Sequence, residues 1–158
     1  MKKITLSLVI LFVVFSNLSA QTEQRDLADI RKGVAASEIE DITFHIAKKP
    51  DKVDGYVVFL DKDNRFCSTI GVLTLSVKKK YVIGRTGSIP KPVEVYRYEI
   101  GHTEEVFFEP KDFLLMGLPL GGIIFGLPIT LPEDKVEKND TVILEWEDFK
   151  REQAPQEY

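Results

Sequence analysis

The chain has 158 residues, 44% hydrophobic and 29% charged, with a formal net charge of −4. This is material for one ordered domain; it excludes wholesale disorder, and the acidity argues against nucleic acid as a partner because no global positive field draws in phosphates. One cysteine and two histidines exclude an internal disulfide framework and a multi-cysteine zinc site, and they leave little material for metal or triad chemistry.

Residues 1–20 read as an export signal. Lys2 and Lys3 precede an apolar run over residues 4–15, and small and polar residues lead to Ala20. Cleavage near Ala20 leaves 158 − 20 = 138 residues with 21 − 2 = 19 basic and 25 acidic side chains, a charge of −6. The run is shorter than the ~20 residues of a spanning helix, and no cysteine stands near the cut to carry a lipid. The expectation is a periplasmic or secreted protein with no stable membrane span once the signal is gone. Residues 21–40 read as a mobile polar leader, with Leu27, Ile30 and Val34 spaced for one or two helical turns.

From Asp41 the pattern changes to short strands. Ile42, Phe44 and Ile46 alternate with Thr43, His45 and Ala47, the period of a half-buried strand, and His45 falls on the solvent side. Residues 55–60 make a second, β-branched and aromatic strand, and residues 61–64 a solvated turn. Residues 71–77 make a third strand. Lys78, Lys79 and Lys80 separate it from a short piece at 81–83. Residues 93–100 alternate most cleanly, and their mixed faces suit an outer or edge strand. Gly101 and His102 read as a turn before 106–108. Residues 123–125, 127–130 and 141–149 supply the last strands, and 150–158 a polar tail. About seven short strands without a long helix predict an all-β antiparallel sandwich or barrel over residues 41–149.

The sequence Gly55-Tyr-Val-Val-Phe-Leu-Asp-Lys-Asp-Asn64, the strand Gly71-Val-Leu-Thr-Leu-Ser-Val77 and the closing Asn139-Asp-Thr-Val-Ile-Leu-Glu-Trp146 resemble immunoglobulin-like or fibronectin type III-like modules of exported prokaryotic proteins. The resemblance spans residues 41–149 and departs from antibody-type domains in lacking paired cysteines. It implies an immunoglobulin-like sandwich of about seven strands used in adhesion, spacing or ligand contact.

Residues 113–132 carry no charge. Their length equals a membrane span, but Gly117, Gly121, Gly122, Gly126, Pro119 and Pro128 would break a helix repeatedly. A loop followed by a buried central strand is the expected structure; a lipid- or partner-facing apolar surface is the alternative. Asp61, Asp63 and Asn64 suggest a calcium loop, but Arg65, Phe66 and Val72 stand where an EF-hand needs a ligand, a glycine and a glutamate. His102 beside Glu104 and Glu105 is the nearest approach to a metal or acid–base cluster. Cys67 and the histidines are not spaced for nucleophilic catalysis, and Cys67 reads as a small buried hydrophobe rather than an interchain bridge. No cofactor is expected. Tyr96, Tyr98 and Ile100 share one side of the 93–100 strand, either as a contact face or as a core face. These residues point to an exported, non-catalytic binding or structural module at the cell envelope, with an envelope protein or glycan as partner. A carrier of an apolar or lipidic ligand using residues 113–132 is the alternative, and an enzyme a distant third.

Overall fold

The alternation starting at Ile42 forms the first strand of an all-β fold, seen in a computed structural model that describes residues 29–87, 92–119 and 121–157. Among these residues ten strands run in order, this one included: β1 (Asp41–Lys48), β2 (Val53–Leu60), β3 (Phe66–Cys67), β4 (Gly71–Thr86), β5 (Val93–Phe108), β6 (Leu114–Gly117), β7 (Ile123–Leu131), β8 (Thr141–Trp146), β9 (Phe149–Gln153) and β10 (Gln156–Glu157). They build two sheets. One has the order β10-β1-β2-β7-β6, with β3 also on β2; the other is β5-β4-β8-β9. The strand pairs are antiparallel except β1 with β10. Short 3-10 turns replace α-helices among the described residues. The predicted export signal and the Ala20 cleavage site lie outside them.

The core sits between the sheets. Ile42 and Ile46 of β1, Val53, Val57 and Phe59 of β2, and Leu127, Ile129 and Leu131 of β7 meet Leu73, Leu75 and Val77 of β4 and Val142, Leu144 and Trp146 of β8. In each strand these positions are two or four apart, so they fall on one pleat face and leave the other free for polar residues. Aromatic rings fill one end. Phe59 packs edge-on against Trp146 with centroids 5.0 Å apart, and against Phe113 at 5.4 Å.

Several boundaries differ from the sequence reading. Residues 30–39 are not a mobile leader: Val34 and Ile39 are buried in the core, and Arg31 bridges to Cys67. The break expected at Lys78–Lys80 is absent, and β4 runs unbroken for 16 residues. Gly101–His102 is not a turn. β5 also runs for 16 residues, with a register shift opposite Val77 and Lys78 that leaves Gly101 unpaired as a β-bulge. The polar tail folds: residues 149–153 pair with β8, and residues 156–157 with β1. Within the uncharged segment β6 and β7 form a β-hairpin, with β7 central between β2 and β6. Gly121 and Gly122, at φ 94 and 89, make its reversal, and Leu118 N–H donates to Gly122 O across it at 3.0 Å. No described helix is long and apolar enough to cross a membrane.

Candidate functional site

The unequal lengths of neighbouring strands position the first candidate surface. β8 covers β4 only from Thr74 to Lys78. Beyond that point β4 and β5 continue alone, from Lys79 and Glu99 to Thr86 and Val93. Among the described residues this two-stranded arm has no third strand and no opposing sheet, so its apolar side chains there stay exposed. The cross-strand pairs Lys78–Ile100, Lys80–Tyr98 and Val82–Tyr96 share one face. Tyr96, Tyr98 and Ile100 are 36%, 55% and 53% exposed, so this face meets water and is not a core face. Val82 on the same face and Val93 near the arm's end are exposed as well.

Local electrostatics order the arm. Lys80 Nζ lies 3.9 Å from the centroid of the Tyr96 ring, and Arg97 stacks over Tyr81 on the opposite face at 5.4 Å. Tyr96 Oη donates to Glu94 Oε2 at 2.6 Å, and Arg85 pairs with the same carboxylate at 3.3 Å. The Tyr96 bond and the Arg85 charge hold the Glu94 carboxyl below its usual range; the same bond pushes the Tyr96 phenol up. At the root, Lys79 is folded under the arm and donates to buried Asp140 at 2.6 Å. Asp140 also accepts from the Glu137 backbone N–H at 2.7 Å, so one carboxylate ties the arm to the β7–β8 connection.

A second feature lies on the outer face of the other sheet. With Phe125, Leu127, Ile129 and Leu131 facing the core, β7 turns Gly126, Pro128 and Thr130 outward. His45 and Ala47 of β1 and Tyr56 of β2 lie beside them. The β6–β7 hairpin forms the far wall with Met116, Leu118 and Pro119, enclosing a cleft of about 830 Å³. His45 stacks on Tyr56 with centroids 5.2 Å apart and is half-buried on the outer face, the side on which the alternation places it. Sequence reasoning missed this cleft. Its walls come from positions more than 80 residues apart along the chain, and only the uncharged 113–132 segment signalled one of them.

The remaining candidates are not brought together. His102 stands 3.1 Å from Glu104 in the middle of β5, while Glu105 points to the opposite face. Among the described residues no group of three or more His, Cys, Asp or Glu side chains is placed to hold a metal. Asp61 is buried, not solvated. Burial alone would raise its carboxyl, but backbone N–H groups of Arg65 and Asp63 and the Arg65 guanidinium bring it down to about 2. Its oxygens are thereby committed to the protein. Cys67 is buried beneath it; burial and the Asp61 charge push the thiol up, away from the reactive thiolate. Comparisons of the chain with protein-family models, with curated proteins and with solved structures find no match.

Proposed function

We propose that this protein is an exported, non-catalytic binding or structural module of the cell envelope, processed near Ala20, whose contact surface is the β4–β5 arm. The observation that carries this reading is the exposure of Tyr96 and Tyr98 on one face of the arm, continued by exposed Ile100 at its root. Rigid aromatic side chains with few rotors lose little entropy on docking, which suits a contact face. An envelope protein or glycan is the partner class.

An immunoglobulin-like ancestry is supported by strand order. If β1, β2, β4, β5, β6, β7, β8 and β9 are taken as strands A, B, C, C′, D, E, F and G, the sheets read A-B-E-D and C′-C-F-G. That is the partition of the immunoglobulin sandwich. On this mapping the arm is an elongated C–C′ hairpin.

The test is capture from envelope extract with the wild type, with Tyr96→Ala/Tyr98→Ala, and with Lys150→Ala as an exposed control on β9. A bound species retained by the control and lost by the double variant, at unchanged melting temperature, supports the reading. Equal recovery by all three removes the arm as the contact surface.

A further inference from the structure

One strand edge of the molecule is long and unguarded. β5 ends its sheet, and among the described residues no strand pairs with its outer side. The strands that end the other sheet edges are short: β10 has two residues, β6 four and β9 five, with Lys150 on β9. β5 has 16 residues and carries neither lysine nor proline, the residues that commonly block strand addition. Residues 96–100 are exposed without interruption, and the bulge at Gly101 ends this regular stretch at the root of the arm.

An exposed row of backbone N–H and C=O groups is a template for a further strand, and the side chains decide which strand fits. Two identical strands joined antiparallel about a two-fold axis normal to the sheet pair about one central residue, each copy of which faces the other. Centred on Arg97, the pair opposes two guanidinium groups; centred on Glu99, two carboxylates. Centred on Tyr98, it sets Arg97 of each copy against Glu99 of the other, Tyr98 against Tyr98, and Tyr96 against Ile100. Of the registers centred within residues 93–100, this one alone places opposite charges opposite each other.

The surroundings within one chain suit that exchange. Arg97 Nε stands 3.6 Å from Glu99 Oε2 of its own strand, and both side chains are more than half exposed. Lys79, opposite Glu99 on β4, is committed to Asp140, which leaves Glu99 to arginine. In the joined pair two guanidinium groups and two carboxylates alternate around the axis.

We infer that the outer edge of β5 is a self-pairing site, which joins residues 96–100 of two copies into a continuous four-stranded arm with the two bodies at opposite ends. Charge and aromatic pairs across the new ladder set its register. The tyrosine face stays open on both copies and is doubled in length. The inference uses the edge and the charged face of the arm and does not rest on the envelope partner.

Sedimentation equilibrium of the purified protein, over a concentration series at low ionic strength, should give a single monomer–dimer equilibrium. Arg97→Glu gives a chain two acids at positions 97 and 99, and Glu99→Arg gives it two bases, on the face away from Tyr96 and Tyr98. Each variant alone should dimerise at least about tenfold more weakly than the wild type, with unchanged far-ultraviolet circular dichroism. An equimolar mixture of the two should recover association to within about threefold of the wild type, because each acidic copy then faces a basic one. A wild type that stays monomeric at every concentration, growth beyond the dimer, or a mixture no stronger than its separate components each overturns the proposal. Dimerisation of either single variant at wild-type strength overturns it as well.

Discussion

Asp61 shows how a residue in a hydrophilic turn comes to be structural. Its carboxylate accepts from two backbone N–H groups and from Arg65 Nε, with Arg31 Nη1 at 3.4 Å. Such bonds stabilise the ionised form, and the carboxyl is held at about 2 against the ordinary 3.8. A depressed native pKa gives stability that is fully present above the unfolded value and lost as pH falls through the native one. Between pH 4 and pH 2 the wild type should thus lose about 2 kcal/mol through this group. Asp61→Asn should be less stable at neutral pH, and its deficit should shrink across that window. Denaturant melts at pH 7, 4 and 2.5 check this; a deficit constant with pH would place the effect in shape alone. A second residue-scale test concerns Gly71. A β-carbon there would lie 2.6 Å from Trp146 Nε1 and 3.3 Å from Phe108 Cζ, both in the buried aromatic cluster. Gly71→Ala should therefore cost about 1–3 kcal/mol by overpacking, read as a drop in the denaturation midpoint.

At the scale of elements, the register of β7 is the sharpest check on the fold. Leu127 faces the core and Ile124 the outer side, half-buried. Leu127→Ala should cost about 2–5 kcal/mol and Ile124→Ala clearly less, in paired denaturant melts. The reverse order would mean that β7 is slipped by one residue, since a one-residue slip exchanges its faces. The arm invites a different experiment. Replacing residues 81–97 by Asn-Gly joins Lys80 to Tyr98, which are already cross-strand partners, through a two-residue hairpin turn. Because the described residues among those removed cover no core, the melting temperature should fall by no more than a few degrees while partner capture is lost. Collapse of the fold would show that the arm is part of the domain's stability.

These elements also show what was legible in the sequence. Alternation identified β1, β2 and the apolar half of β4, because a strand with one side buried carries its period in the composition. It placed Tyr96, Tyr98 and Ile100 on one side but could not say whether that side met water, which depends on β8 ending its pairing at Lys78. The triple lysine looked like a strand end because a free-standing hairpin needs no buried partner for each residue. β9 looked like a tail because its half-buried residues include Arg151 and Gln153, whose function is polar reach rather than apolar burial. The cleft was invisible because no local pattern encodes the meeting of β1, β2 and the β6–β7 hairpin.

For the whole molecule, the proposed export has its own check. Mass spectrometry of protein from the exporting host should find Gln21, or its cyclised form, at the N-terminus, and that protein should remain in solution without detergent. Intact Met1 in the mature fraction would defeat the reading of residues 1–20.

The way residues 149–157 are used bears on when the fold can be completed. Arg151 donates from β9 to Ile42 O and to the Asp41 carboxylate, Gln153 Oε1 accepts from Ile46 N–H at 2.8 Å, and Gln156 lies beside Ala47. The first strand of the domain is thus stitched to the opposite sheet by residues more than 100 positions later. A chain emerging N-terminus first has β1 available early and the groups that fasten it only at the end. Until those arrive, β1 has β2 as its neighbour and a ladder edge left open. Such an order of emergence delays final closure until residues 149–157 have been delivered, and on the proposed export it would keep a partly threaded chain loose enough to continue moving through a narrow pore.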